Sequence, residues 1–312
     1  MTTRPPVASA RPGRVVVSHG RDAVVLDDSG NRVHCRLQGR RLAVVCGDRV
    51  RWTPAQTEGG TGIIGEVLPR STELVRINLR GEREAVAANL TQLVAVVAPV
   101  PAPDFGLCDR YLAAAEWAGL KACIAANKSD LPDAEGLLDA GLDDFARLGY
   151  PVVRASKRAP DGAAALALRL AGETSVLVGQ SGVGKSSLTN LLVPGVAAAV
   201  AEVTRASESG RHTTTTSSLY RLPAGGELID SPGVRDFAPP LPEPRDVGGG
   251  YREIAAAAGG CRFRDCLHHH EPGCAVAAAA EAGTIAPRRL ASYRQLLALA
   301  EEMARRAPRV RR

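Results

Sequence analysis

The stretch Thr174-Ser-Val-Leu-Val-Gly-Gln-Ser-Gly-Val-Gly-Lys-Ser-Ser-Leu188 passes from an apolar run into a glycine-rich turn and then into residues that favour a helix. From Gly179 through Gln180, Ser181, Gly182 and Val183 to Gly184, Lys185 and Ser186 it fits G-x-x-x-x-G-K-[ST] without a gap. A phosphate chain must be wrapped by inward-pointing backbone N–H groups, which glycines permit because they carry no Cβ. The helix that begins near Lys185 adds its positive end. Lys185 is therefore expected on the β- and γ-phosphates, the Ser186 hydroxyl on an octahedral Mg²⁺, and Ser187 on the α-phosphate. A strand feeding such a turn implies an α/β domain built on a parallel sheet.

The stretch belongs to a chain of 312 residues, enough for two or three domains with a sizeable core. Apolar residues make up 45% and charged residues 23%, the composition of an ordinary globular chain. A net charge of +6 favours an acidic partner, nucleic acid before membrane. The start, Met1 to Arg14, has no apolar signal-peptide core, and no apolar run reaches the roughly 18 residues of a membrane span, so a cytoplasmic chain is expected. Cys35, Cys46, Cys108 and Cys123 sit in apolar contexts and read as inert core thiols. Cys261, Cys266 and Cys274 cluster, which in a reducing compartment points to metal.

Residues 1–12 read as a disordered tail. From 13 to 70, short β-rich runs at Arg14–Ser18, Asp22–Leu26, Arg32–Leu37, Asp48–Trp52 and Gly62–Val67 are separated by turn residues. They predict a small β-barrel of the OB-fold type. Arg14, Arg21, Arg32, Arg36, Arg40, Arg41, Arg49 and Arg51 would give it a face for a nucleic-acid backbone. Ser71 to Leu90 reads as a connecting segment. Gln92–Ala98 and Lys121–Ala126 then read as buried parallel strands flanking a helix over Asp109–Gly119.

The second of these strands runs into Asn127-Lys128-Ser129-Asp130, the N-K-x-D pattern that reads guanine. An ionised Asp130 can accept from both the N1–H and the exocyclic amine, a pair of donors that adenine lacks. Asn127 would hold the base edge, and the Lys128 stem would cover the ring. After a strand at Tyr150–Arg154, backbone N–H groups of Ala155 and Ser156 are expected to meet the guanine carbonyl. Beyond the phosphate loop, Ser209-Gly-Arg-His-Thr-Thr-Thr-Thr216 reads as a mobile loop whose Thr214, with Thr213 second, would complete Mg²⁺ coordination. The strand Glu227–Ile229 delivers Asp230-Ser-Pro-Gly233, in which Asp230 would hold Mg²⁺ through water and the Gly233 N–H would sense the γ-phosphate.

The motif order is rotated, with Asn127–Asp130 ahead of the phosphate loop. Binding requires convergence at one sheet edge rather than chain order. This arrangement, with Gly47-Asp-Arg-Val50, Asp109-Arg-Tyr-Leu112, Gly210-Arg-His-Thr-Thr-Thr215 and Cys261-Arg-Phe-Arg-Asp-Cys266, closely resembles the RsgA (YjeQ) family of small-ribosomal-subunit biogenesis GTPases. The resemblance implies an OB-fold domain (13–70), a circularly permuted P-loop GTPase domain (71–238) and a helical zinc-binding domain (239–312). It further implies a protein that engages the 30S subunit and its 16S rRNA late in maturation, and a monomer is expected. Its hydrolysis of GTP to GDP, slow alone and stimulated by the subunit, would time its release. Val234 stands where many small GTPases have the glutamine that orients water. The family suggests His212 for that task, so the catalytic set is His212, Lys185 and Thr214.

Cys261-x4-Cys266-x-His268-x5-Cys274 offers three thiolates and an imidazole, a set suited to one structural Zn²⁺. His269 and His270 are adjacent alternatives, and the family spacing points to His268. Arg288 to Ala307 reads as an amphipathic helix with Leu290, Tyr293, Leu296, Leu297 and Met303 inward, and Phe237 to Tyr251 reads as a linker. The rival reading is an RNA-binding assembly factor in which nucleotide is mainly a structural ligand. Intact Lys185, Ser186 and Asp230 argue against it.

Overall fold

The computed structural model describes residues 10–55, 60–77, 81–133, 135–159, 161–195, 216–231 and 239–306. Five strands open the chain: β1 (Arg11–His19), β2 (Asp22–Leu26), β3 (Arg32–Leu37), β4 (Arg49–Thr53) and β5 (Gly62–Val67). They pair in the order β1-β2-β3-β5-β4, and β4 returns to β1, which closes the barrel. Alternation of side chains fills the interior with Val15, Val25, Cys35, Val50, Trp52 and Ile64. The first strand begins at Arg11, inside the stretch expected as tail.

The segment expected to be a simple connection folds instead as a hairpin, β6 (Glu73–Ile77) with β7 (Arg83–Ala88). It pins the barrel to the next domain. Asp48 is fully buried and takes both Arg70 Nε at 2.8 Å and Nη2 at 3.0 Å, while the Asn89 amide donates to the Gly47 carbonyl at 2.9 Å. Gly47 has φ +92°, and a Cβ there would lie 2.0 Å from the Ala88 carbonyl oxygen. Only glycine fits that approach.

The central sheet has the order β10-β9-β8-β11-β13-β12 and is parallel except for β12. Its strands are β8 (Gln92–Val97), β9 (Lys121–Ala126), β10 (Val152–Arg154), β11 (Thr174–Val178), β12 (Ser217–Arg221) and β13 (Glu227–Asp230). Every residue of β8 is buried because both sheet faces are covered. Leu93, Ala95 and Val97 pack towards α1 (Phe105–Trp117) and α2 (Leu137–Arg147). Val94 and Val96 pack towards α3 (Ala164–Leu170) and α4 (Lys185–Leu192). β12 also pairs antiparallel with β1, through Val17↔Ser218 and Ser18↔Ser217, so barrel and central sheet form one 11-stranded sheet. Arg14 belongs to this junction rather than to an open barrel face, since its guanidinium meets Glu227 and Thr174. The other seven barrel arginines are exposed.

The last domain comprises a 3₁₀ helix (Pro244–Gly250), α5 (Arg252–Ala258), α6 (Ala275–Glu281) and α7 (Pro287–Arg306). The expected linker is thus partly helical and docked: a Cβ on Gly250 would lie 2.7 Å from Ala113 and Trp117 of α1. Leu290, Tyr293, Leu296 and Leu297 are buried as expected, but Met303 is 48% exposed because α7 outruns the small core beneath it. The docking is ionic at its centre. Buried Asp109 of α1 accepts from Arg289 Nη1 at 2.7 Å and from Arg288 Nη1 at 2.9 Å, and Glu253 takes Arg289 Nε at 2.7 Å. No helix among the described residues is long and apolar enough to cross a membrane.

Candidate functional site

Five parallel strands bring their carboxyl ends to one edge, where open α/β sheets bind ligands. Asn127 follows β9, Ala155 follows β10, Gly179 follows β11, and Asp230 ends β13. Motifs distant in sequence therefore share one sheet edge.

The turn after β11 has the backbone its composition demands. Gly179 has φ +149°, and a Cβ there would lie 2.3 Å from the Val96 carbonyl oxygen. Gly184 has φ +96° and leads directly into α4. The Lys185 ammonium folds back over the turn, donating to the carbonyls of Gly179 at 2.6 Å and Gln180 at 3.0 Å. Ser181, Gly182 and Ser186 are exposed at the mouth, Ser187 is half-buried and Val183 is buried beneath. A turn of this kind, with a helix start behind it, can receive a polyphosphate.

The Asn127-Lys128-Ser129-Asp130 loop is bolted to that turn. The Asn127 amide donates to the Val183 carbonyl at 2.8 Å, and a Cβ on Gly184 would lie 2.3 Å from the same amide nitrogen. Lys128, at φ +57°, donates to the carbonyls of Val100 at 2.6 Å and Gly182 at 2.8 Å. The Ser129 N–H reaches Ala155 at 3.1 Å, which ties this loop to the one after β10.

The expected role of that last loop changes in one respect. The Ala155 N–H donates to Ala126 at 2.9 Å and the Ser156 N–H to Gly162 at 3.1 Å, so both are already engaged within the protein. Ser156 acts through its side chain instead: its hydroxyl donates to Asp130 and itself accepts from the Arg158 N–H at 3.0 Å. Hydrogen bonding from Ser156 holds the Asp130 carboxyl below the usual aspartate range, with Arg158 and Lys157 adding in the same sense. An exposed carboxylate kept ionised and aimed by a serine can read a base edge with two donors. The Ser156 contact was not legible in the sequence, because it depends on a side-chain rotamer. His212, Thr213, Thr214, Gly233 and Val234 lie outside the described residues.

Cys261, Cys266, His268 and Cys274 place their donor atoms within 4.8 Å of one another. His268 Nδ1 lies 3.5 Å from the sulfurs of both Cys261 and Cys274. A tetrahedral ion with Zn–S of about 2.3 Å and Zn–N of about 2.0 Å separates S from N by roughly that distance. The set therefore fits zinc, and four ligands leave no open position. His268 has φ +62°, which turns its ring inward, and its carbonyl is met by Arg294. Ala277 N–H donates to the Cys274 sulfur at 3.4 Å. Glu271 and Tyr293, neither singled out as a supporting residue by the sequence, brace the loop at Leu267. The other four cysteines are buried, and burial pushes the thiols of Cys35 and Cys46 up to about 12 and that of Cys123 to about 11. They are inert core thiols, as expected.

A model of the RsgA GTPase family matches residues 67–239. The small ribosomal subunit biogenesis GTPase RsgA of Azotobacter vinelandii is 47% identical over 272 residues, covering 86% of this chain and 79% of that protein. Its counterpart in Pseudomonas aeruginosa is 46% identical over 291 residues, covering 92% and 84%. Among solved structures, YjeQ from Thermotoga maritima aligns at 32% identity with a TM-score of 0.75, over 93% of this chain and 98% of that one. YloQ, a circularly permuted GTPase, aligns at 27% identity and a TM-score of 0.73, over 99% and 100%. The rotated motif order, the barrel ahead of it and the near-complete alignments have one reading: the chain belongs to the RsgA GTPase family.

Proposed function

We propose that this chain is a GTP hydrolase that acts in biogenesis of the small ribosomal subunit. The observation that carries the reading is the bond from Asn127 to Val183, which holds a guanine-reading loop against a phosphate-binding turn. In this reading Asp130 accepts from the guanine edge, Asn127 and Lys128 frame the base, and Ser156 aims Asp130. Residues 179–187 wrap the phosphates. Lys185 meets the β- and γ-oxygens, and Ser186 with Thr214 would hold a Mg²⁺ that offsets their charge. Asp230 would help to hold that ion, and the Gly233 N–H would sense the γ-phosphate. Val234 supplies no polar group, so His212 orients the attacking water. Cys261, Cys266, His268 and Cys274 would hold one structural zinc.

The partner in this reading is the 30S subunit, gripped at 16S rRNA by the barrel and the zinc domain of a cytoplasmic monomer. Hydrolysis to GDP then times release. The relatives' names and the exposed barrel arginines support this assignment. The test is multiple-turnover GTP hydrolysis with and without purified 30S subunits, with ATP as control. A rise on the order of 10² or more with GTP and subunits together is expected, lost in His212→Ala while GTP still binds. A flat rate with GTP bound would favour a binding factor that uses nucleotide as a structural ligand.

A further inference from the structure

The loop between Cys261 and Cys266 carries Arg262, Phe263, Arg264 and Asp265, all exposed. Phe263 is 42% exposed, and every other aromatic residue among the described ones is buried or half-buried. In a chain with only 4% aromatics, one left in water at the tip of a braced loop is not surplus core. The tip is held in place: the Arg262 N–H donates to Gly273 at 3.1 Å and the Cys266 N–H to Phe263 at 3.4 Å, beside the metal ligands.

Charge around the ring selects its partner. Among the described residues neither Arg262 nor Arg264 has an ion pair, and the Arg262 guanidinium lies 5.5 Å from the ring centroid. Asp265 is the adjacent acid, and nearby Glu271 is engaged by the N–H groups of Leu267 and His270. A single ring between two arginines that lack an ion pair offers no apolar patch of the size that protein docking requires. It does offer an exposed aromatic ring with the Arg262 cation over one face and the exposed Arg264 next along the loop, which suits an unstacked base and its flanking phosphates.

We propose that Phe263 is a stacking platform for an unpaired nucleobase of RNA, with Arg262 and Arg264 on the adjoining phosphates. The inference rests on the RNA-bound role proposed above and adds the residue and the strand state that are read. The test is fluorescence anisotropy of the full chain with a labelled single-stranded RNA 12-mer of mixed sequence, and with the same strand in a duplex. Phe263→Ala weakens single-strand binding on the order of tenfold and leaves duplex binding unchanged, Phe263→Trp restores it, and Phe263→Leu does not. Arg262→Ala with Arg264→Ala weakens both forms and lowers the salt slope by about 1 to 2. Zinc content is measured on every variant and stays at wild-type level, since none of these residues is a ligand. Single-strand affinity of Phe263→Ala equal to wild type overturns the inference and leaves the proposed function standing. Full rescue by Leu also overturns it and indicates an apolar contact with protein. A wild-type chain that binds neither RNA form removes the RNA-bound role together with this inference.

Discussion

The Ser217 hydroxyl donates to the Ser231 hydroxyl at 2.7 Å, and both side chains are buried. Ser231 follows Asp230 at the carboxyl end of β13, and Ser217 opens β12, which pairs with β1 of the barrel. Next to it, Thr216 Oγ1 lies 3.2 Å from His19 Nδ1. The nucleotide edge and the barrel are therefore joined by adjacent short contacts. Ser217→Ala and Ser231→Ala should each cost about 1 kcal/mol in urea unfolding. The double variant should cost less than their sum by about 0.5 kcal/mol or more, and strict additivity would mean that the pair contributes nothing as a pair.

In the proposed function, base selection rests on Asp130 being ionised and aimed. Its depressed pKa keeps the carboxylate charged as pH falls through the ordinary aspartate range, and whatever the charged form contributes is lost only as pH drops through that lower folded value. Ser156→Ala removes the largest cause, so the Asp130 titration followed by carboxyl ¹³C NMR should move up in pH. GTP affinity should fall with it. Asp130→Asn should weaken GTP binding by roughly 10² to 10⁴, the cost of two charge-assisted bonds, with little change in folding.

The contact between the zinc domain and α1 is a buried charge network. Asp109 is fully buried and Arg289 is 1% exposed, with desolvation opposed by Glu253 and Asp109 so that the guanidinium is held firmly charged. Asp109→Ala should cost about 3 kcal/mol in thermal or urea unfolding, because it leaves the buried Arg289 cation with only one of its two carboxylates, Glu253. Arg288→Ala, whose side chain is 31% exposed against 1% for Arg289, should cost less, about 1 kcal/mol. Equal effects would show that burial does not set the cost.

Chelation should undo the last domain first. Apparent metal-binding energies of roughly 10–16 kcal/mol for such ligand sets exceed what a core this small provides. Hydrogen exchange after chelator treatment should accelerate in residues 252–306 before it does in β8 or β11. Acid should mimic the chelator, since thiols must lose their protons to bind metal and acid returns them. Elemental analysis should find one zinc per chain, lost in Cys266→Ser and kept in Cys35→Ser.

What was legible in the sequence was whatever chemistry is local. The barrel strands were found within about three residues of their ends because alternation and turn glycines mark them along the chain. The glycines of residues 179–184 and the Asn127–Asp130 loop carry their own geometry. The β6–β7 hairpin was missed because charged residues such as Arg76, Arg83 and Glu84 mask the short buried run on each strand. Met303 was misplaced because periodicity does not say where the core beneath a helix ends. The contacts of Arg14 with Glu227, Asp109 with Arg289 and Ser156 with Asp130 join distant segments, and no window along the chain holds both partners.

The pairing of β1 with β12 also bears on how this molecule can be divided. Cut away residues 1–70 and β12 becomes a bare rim, its outward N–H and C=O groups left with no strand to answer them. Such a rim invites a second molecule to add its own strand, the first step of edge-to-edge aggregation. The opening domain thus also serves as a guard rail, and the central domain prepared alone should precipitate where the whole chain stays dispersed.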